Sequence, residues 1–444
     1  MVHSPAQTGY YQARSKYQFD LLDLCMFTNV HMGRAAATVL HNSRLKLKEW
    51  LRAREPSFLD FIPLLYPTSS LLRHAVDCVL ARGRKLLCPD TQVADATIYA
   101  QYGMALQGLR QALHDKSRVL DADVLCSMEI MQLFEVLDFR ESGSWTRHTS
   151  GISNLIAMRG PKMYRTTLER ALLFSQLDTV FGEAMLQNKD CFLGDAEWQQ
   201  TLREIMETDS PIVPPLLVGI WAMQARLPRL IRQTSELVLS GSCDTESAAI
   251  VNINLRRFRE MSLRWRTWAL RCANRFGQDS SKLPENLAIA YAGDIIANRA
   301  LVALGPLHLK AASLEAETLE LREKIVRTAR QLQESAARGD ALIARTLQVA
   351  TMAEACHKDF SKAMNGDPGY VDENTGYVAP KVWQHFNGLM GRKVIPGHLD
   401  RETLLRELRQ TGCWVSTTKQ PEHYLDGTLW NNSISQIVDP VTLA

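Results

Sequence analysis

The sequence lacks the closely spaced cysteine pairs that structural zinc sites need. Its nine cysteines are scattered, and the nearest two, Cys78 and Cys88, are ten residues apart. A zinc site of the finger type places two ligands roughly two to four residues apart, because one tight turn must direct both toward the metal. The odd number and wide scatter of the cysteines also argue against a disulfide framework. We therefore expect reduced cysteines and no metal site.

The chain also lacks signals for export or membrane insertion. Residues 1–20 contain no apolar stretch of signal-peptide length, and the apolar runs elsewhere are shorter than a membrane span. A net charge of +3 on 444 residues gives no electrostatic reason for the whole chain to bind nucleic acid or an anionic membrane. We expect a protein that is not secreted and has no membrane partner, with any contact to DNA confined to a local patch.

Familiar catalytic motifs are absent from the sequence as well. It contains no glycine-rich phosphate loop, nucleophile elbow or zinc-protease helix, and its eleven histidines do not cluster. Cys356 and His357 are adjacent, but neighbouring side chains on a helix point about 100° apart, so we expect a core cysteine there. We assign no catalytic residue and no cofactor, although distant helices could still bring catalytic groups together.

The sequence is rich in helical periodicity. Apolar residues recur at three- and four-residue steps, and strand-like alternation is almost absent. We predict an all-α fold with short connections, in which Pro228 ends or kinks one helix. Residues 364–380 contain turn residues without a period, which is typical of a surface loop. The clearest predicted helices cover residues 102–114, 122–139, 168–187, 214–234 and 287–304.

Residues 143–164, GSWTRHTSGISNLIAMRGPKMY, predict a short helix with signals at both ends. Ser142 or Ser144 can cap its first backbone amides, and Trp145 can fold onto apolar side chains one turn later. At the other end, Arg159 lies near the negative end of the helix dipole, and the following Gly160 can terminate the helix.

Three further residues of this helix are Arg147, His148 and Gly151. Gly151 leaves room for a close helical neighbour. Arg147 and His148 either pair with nearby carboxylates such as Glu141 or face an anion or ligand, and we favour the first interpretation.

The succession of these segments resembles the fungal-specific transcription factor domain, the helical regulatory region downstream of the binuclear zinc cluster in fungal gene activators. The matching segments are Tyr102–Leu113, Asp121–Phe139, Ser144–Gly160, Leu168–Gln187, and Cys191-Phe192-Leu193 with Glu197-Trp198. The resemblance covers residues 57–235 and continues more weakly through 255–350. It implies an all-α, multi-helix array. The residues that match the family motifs, mostly in structural roles, are Trp145, Arg147, His148, Gly151, Arg159, Gly160 and Trp198.

One departure from the family affects the expected function. Its members usually begin with six cysteines that bind two zinc ions and place a helix in the DNA major groove, and these 444 residues contain no such cluster. The resemblance therefore implies a nuclear, or otherwise cytoplasmic, regulator without sequence-specific DNA binding of its own. Its expected partners are a DNA-binding transcription factor or a second copy, and its expected target is a secondary-metabolite gene cluster. We divide the chain into an N-terminal segment (1–56), the helical domain (57–350) and a C-terminal helical and loop extension (351–444).

The segment 255–276, LRRFREMSLRWRTWALRCANRF, combines seven arginines with two tryptophans. Such a mixture could contact phosphates and stack on bases. Six of its residues, however, fall on one helical face, with arginines beside it at every seventh position. They are Phe258, Met261, Trp265, Ala269, Cys272 and Phe276. We therefore favour an amphipathic helix docked on the body of the protein over a nucleic-acid surface. The candidate basic interaction surface consists of Arg257, Arg264 and Arg271.

A different class of function remains open. The tryptophans and methionines could line an inter-helix pocket for a small-molecule effector, although core packing is the favoured interpretation. The helical scaffold could equally serve as a natural-product biosynthetic enzyme or a small-molecule binder. An enclosed cavity with converging ionisable groups of shifted pKa would favour that alternative, whereas a filled core would favour the regulator.

Overall fold

The structure is a computed structural model of the chain and describes residues 57–87, 94–138, 144–208, 214–240, 245–276, 283–305, 311–334, 340–373 and 376–391. Within these ranges the chain is helical, and its only extended pairings are isolated bridges around Val371. The all-α prediction is therefore confirmed. The α-helices are α1 (Ile62–Leu65), α2 (Ser70–Leu87), α3 (Asp95–His114), α4 (Ala122–Asp138), α5 (Ser144–Arg159), α6 (Thr167–Gln187), α7 (Ala196–Met206), α8 (Pro215–Gln224), α9 (Leu227–Ser240), α10 (Thr245–Phe276), α11 (Leu283–Leu304), α12 (Ala311–Glu334), α13 (Asp340–Ala355), α14 (His357–Met364) and α15 (Pro380–Leu389).

The predicted breaks occur where the sequence indicates them. Helix α8 ends at Gln224 and α9 begins at Leu227, so Pro228 occupies the second position of α9. A proline is tolerated there because the amides of the first helical turn have no partner within the helix. In the described part of 364–380, the chain leaves α14 and forms an irregular loop with Gly366, Gly369 and Gly376 at positive φ.

Gly160 ends α5 as predicted. Its amide donates to the carbonyl of Ala157 at 3.1 Å, and its φ of 69° and ψ of 163° lie in a region that is essentially restricted to glycine. The extended ψ follows from Pro161, whose ring disfavours a helical conformation in the residue before it. The next residues, Pro161–Met163, form a 3₁₀ helix that leads into α6.

The described chain divides into two compact units, with a boundary inside α6. Unit 1 contains the described residues up to Val180 together with 207, 208 and 214. In it, α2 packs against α3 and α4, and α4 packs against α5. Helix α4 is buried along most of its described length, which explains why its apolar residues are not confined to one stripe.

Unit 2 contains residues 181–206 and the described residues from 215 to 391. Its centre is α11, which packs against α10, α12 and α13 and also contacts α8 and α9. By length and composition α11 is the one described helix that could cross a bilayer, although the sequence led us to expect none. In the fold, 89% of its apolar window is buried, which is typical of a core helix.

A buried ion pair connects α11 to the helices around it. Arg299 is fully buried and pairs with Glu315 of α12, with Nη2 3.0 Å from Oε1. It also donates to the carbonyl of Ala353 at 3.0 Å, and its guanidinium lies 4.3 Å from the ring centroid of Phe360. If α12, α13 or α14 packed differently against α11, the charge of Arg299 would be buried without its partners, which is unfavourable. These contacts therefore help to specify how the four helices assemble.

We predict that Gly160→Ala destabilises the protein by about 1–3 kcal/mol, because alanine must adopt a backbone conformation that only glycine adopts readily. A Cβ at this position would meet no atom within 4 Å, so the effect isolates backbone strain from steric overlap. The measurement is urea unfolding followed by helical circular dichroism.

Gly103→Ala is the matched control, since Gly103 lies within α3 and a Cβ there also meets no atom within 4 Å. This variant should gain about 0.5–1 kcal/mol, because alanine is the better helix former. Equal stabilities of the two variants would contradict the account of Gly160.

Candidate interaction surface

The inner face of α10 is apolar and buried, as its periodicity predicts. The buried residues recur at three- and four-residue steps and are Ala248, Val251, Leu255, Phe258, Ser262, Trp265 and Ala269. Met261 and Cys272, which the sequence places on the same face, are half-buried, and the side chain of Phe276 lies outside the described residues.

A buried carboxylate fixes the rotation of α10 about its axis. Asp294 of α11 is 1% exposed and accepts a hydrogen bond from Ser262 Oγ at 3.0 Å. The guanidinium of Arg266 lies 3.2 Å from the same carboxylate and packs over the ring of Tyr291. Burial raises the pKa of Asp294 to about 6, although Arg266 and Ser262 act in the opposite direction. Any other rotation of α10 would remove both partners from this carboxylate.

Two further contacts hold α10 in place. Arg259 forms an ion pair with Glu317 of α12. Trp265 lies against α8 at Gly219, where an added Cβ would be 3.0 Å from the indole Nε1 and 3.3 Å from the sulfur of Met206. The absence of a side chain at Gly219 therefore permits the close approach of the two helices.

The outer face of α10 exposes more large hydrophobic side chains than any other described helix. Of the nine large hydrophobic side chains that are exposed in the described chain, five belong to this helix. They are Ile250 (53% exposed), Ile253 (50%), Leu263 (57%), Trp268 (40%) and Leu270 (47%). Exposed apolar side chains that occur singly are ordinary, whereas several on one helix are typical of an interaction site.

The same face carries a surplus of positive charge. Arg257, Arg264 and Arg271, the candidate basic residues, are all exposed. Arg264 pairs with Glu260 at 2.5 Å, but both side chains are largely exposed and the pair contributes little stability. Arg257 and Arg271 make no ion pair with any described residue. We name this outer surface the arginine–leucine face and define it as Ile253, Arg257, Leu263, Arg264, Leu270 and Arg271.

The family-motif residues of α5 lie elsewhere, in unit 1. Trp145, Arg147 and His148 occupy the first turns of the helix, and their side chains lie outside the described residues. Gly151 is buried along the helix. The structural role that the sequence indicates for these residues stays a prediction.

Arg159, the last residue of α5, is buried and contacts three other segments of unit 1. Its guanidinium donates to the carbonyl of Leu120, lies 3.2 Å from Glu169 and packs over the ring of Tyr164. The side chain is fully buried, so the ion pair connects α5 to the start of α6 inside unit 1. No regular sequence spacing indicates Leu120 or Glu169 as partners.

The tryptophans with described side chains are mostly core residues. Trp198, in the family-motif segment, is buried against Phe192, with ring centroids 5.0 Å apart. Trp383 is fully buried and donates from Nε1 to Ser235 Oγ at 3.0 Å. Trp268 differs from them because it is on the outer side of α10. The side chain of Trp145, together with Trp414 and Trp430, lies outside the described residues.

Other buried ionisable groups have structural partners. Burial raises the pKa of Glu129 well above its usual value, and Ser175 Oγ donates a hydrogen bond to this carboxyl. Burial also raises the pKa of the Cys356 thiol to about 11, so this cysteine is an inert core residue, as the sequence predicts. The described residues contain no group of three or more His, Cys, Asp or Glu side chains that could hold a metal ion.

The raised pKa of Asp294 leads to a prediction about the pH dependence of stability. Between about pH 4, the ordinary aspartate pKa, and its folded pKa of about 6, the native protein keeps a proton that the unfolded chain has released. This group therefore lowers the free energy of unfolding as pH rises through that range. Because Asp294→Asn removes the titration, the stability of the variant relative to wild type should increase from pH 4 to pH 7. Urea unfolding at several pH values measures this difference.

Glu320→Gln is the control of opposite sign. Glu320 is an exposed carboxylate of α12, and the hydrogen bond from Lys324 lowers its pKa. Its ion pair stabilises the native state at pH values above the ordinary glutamate pKa, so this variant should lose stability relative to wild type as pH rises. A constant difference between wild type and Asp294→Asn at every pH would refute the assignment to Asp294.

Comparisons with known proteins place the chain in a family. The family described as "Fungal specific transcription factor domain" matches residues 57–336. An uncharacterized protein of Emericella nidulans is 28% identical over 141 residues, and the match covers 31% of this chain and 30% of that protein. No solved structure matches the chain. Since the family match extends over more than half of the sequence, and the fold is helical throughout that range where it is described, the chain belongs to the fungal specific transcription factor domain family.

Proposed function

We propose that this protein regulates transcription in the nucleus by binding other proteins, and that its target is a set of genes for secondary metabolism. The observation that carries the proposal is the family match over residues 57–336, which indicates a transcription-regulator-like protein. The arginine–leucine face of α10 supplies a physical means, because it exposes apolar and positively charged side chains together on one rigid helix.

The cysteine spacing supports a role for a partner in reading DNA. Within these 444 residues the nearest cysteines are ten residues apart, so no pair can share a zinc ion through one tight turn. In our proposal, the base-specific contacts come from a DNA-binding transcription factor with which this chain assembles. A second copy of the chain is the alternative partner.

Deletion of the gene in the organism that carries it, followed by transcript and metabolite profiling, tests this proposal. We expect the transcripts of a group of genes to fall together, because the loss of a regulator acts before protein synthesis. A reintroduced wild-type gene should restore them, and a fluorescent fusion of the full chain should accumulate in the nucleus.

The same profiling separates regulation from catalysis. Accumulation of one metabolic intermediate with all transcripts unchanged would contradict the proposal and would favour an enzyme built on the same scaffold. Exclusion of a functional fusion from the nucleus would also contradict it.

A further inference from the structure

We propose that the arginine–leucine face of α10 binds an acidic, amphipathic helix of a partner protein. This inference rests on the proposed function and names the chemistry of the partner. The face combines two features. Its leucine and isoleucine side chains are exposed, and two of its three arginines, Arg257 and Arg271, form no ion pair with a described residue.

The apolar and charged residues of the face run side by side along the helix. Leu263 and Leu270 are seven residues apart, and each is followed directly by an arginine, Arg264 or Arg271. Seven residues span two helical turns, or about 10 Å, so the leucines form one row and the arginines form a second row about 100° away around the helix. Arg257 continues the arginine row about two turns toward the start of the helix, and Ile253 lies about one turn before Arg257 on nearly the same side.

A partner helix with the complementary pattern satisfies both rows. Its apolar residues would cover Leu263 and Leu270, whose side chains are 57% and 47% exposed, and would remove them from water. Its acidic residues would meet Arg257, Arg264 and Arg271, and this charge complementarity would steer the encounter and set the register. Such a helix lying on an apolar groove or face is a common mode of peptide recognition.

The charge of the face argues against its other occupants. A second copy of α10 would bring the same surplus of arginine, and like charges brought together across an interface are unfavourable. Duplex DNA would pair with the arginines but would offer no apolar partner to Leu263 and Leu270, which point about 100° away from the arginines around the helix. An acidic amphipathic helix is the occupant that matches the charge and the apolar surface together.

The orientation of α10 is fixed by contacts within unit 2. Ser262 and Arg266 on the inner side bind Asp294, and Arg259 binds Glu317, so the rotation of α10 is fixed before any partner arrives. A preorganised surface loses little conformational freedom on binding, which favours affinity.

The test measures binding of fluorescent peptides to the full chain by anisotropy. Three designed helical peptides of about 21 residues, or six turns, serve as probes: leucine with glutamate, leucine with lysine, and glutamate with glutamine in place of leucine. We expect binding of the leucine–glutamate peptide alone, with an affinity that falls as salt increases. A duplex DNA of about 20 base pairs, about two helical turns, is the fourth probe and should not bind.

Two variants of the face should each weaken peptide binding about tenfold or more. One is Arg257→Glu with Arg264→Glu and Arg271→Glu, which reverses the charge, and the other is Leu263→Ser with Leu270→Ser, which removes the apolar row. All of these side chains are exposed, so circular dichroism should match wild type.

The matched control makes the same change in charge elsewhere in unit 2. Arg203 of α7 and Arg327 and Arg330 of α12 are also exposed, and the triple substitution of these three by glutamate should retain the wild-type affinity. If this control loses as much affinity as the α10 variant, binding depends on net charge alone and the proposal is wrong.

Three other results would contradict the proposal, and two of them would show that DNA or a second copy of the chain binds the face instead. Failure of the leucine–glutamate peptide to bind overturns the proposal. DNA binding that the α10 charge reversal abolishes would make the face a nucleic-acid surface, and a dimer in sedimentation that the Leu263/Leu270 variant dissociates would make it a contact between copies.

The outcomes also separate this inference from the proposed function. If the deletion strain regains its transcripts from the α10 triple variant, the docking site fails while the regulatory function stands. If peptide binding behaves as expected but deletion leaves all transcripts unchanged, the docking site stands and the regulatory function fails.

Discussion

The buried carboxylate of Asp294 determines which face of α10 points into the core and which face points outward. A charged or hydrogen-bonding group in the core needs partners, and here both come from one face of α10, through Ser262 and Arg266. Apolar packing alone would permit small rotations of a long helix, because one hydrophobic contact can replace another. The polar contacts remove that freedom, and the opposite face, with its leucines and arginines, is directed outward as a result.

Helix α11 carries Asp294 and also Arg299, five residues later, and the two charged side chains contact different neighbouring helices. Asp294 receives α10, whereas Arg299 binds Glu315 of α12 and the carbonyl of Ala353 at the end of α13. A central helix without these groups could pack against its neighbours in several ways with similar burial of apolar surface. Each charge selects among those arrangements because a misplaced neighbour would leave it buried without a partner. His357 adds to the second cluster, with Nδ1 2.6 Å from Glu315.

Unit 1 also contains a buried charged side chain that contacts several segments. Arg159 draws together the carbonyl of Leu120, the carboxylate of Glu169 and the ring of Tyr164. In both units, buried polar contacts add to apolar packing in specifying one arrangement of the helices of this chain. Among the described motif residues, Gly151, Arg159 and Trp198 are buried, whereas the outer face of α10 is exposed.

The sequence by itself determined the features that arise within a few residues of one another. The helical period, the break beside Pro228, the end of α5 at Gly160 and the one-sided burial of α10 all follow from local geometry, and so they could be read directly. The tertiary structure alone decided the partners of Arg159 and Asp294, and it decided that Trp198 is buried against Phe192. Those outcomes depend on which distant segments meet, and neither the spacing along one helix nor the chemistry of a single residue contains that information.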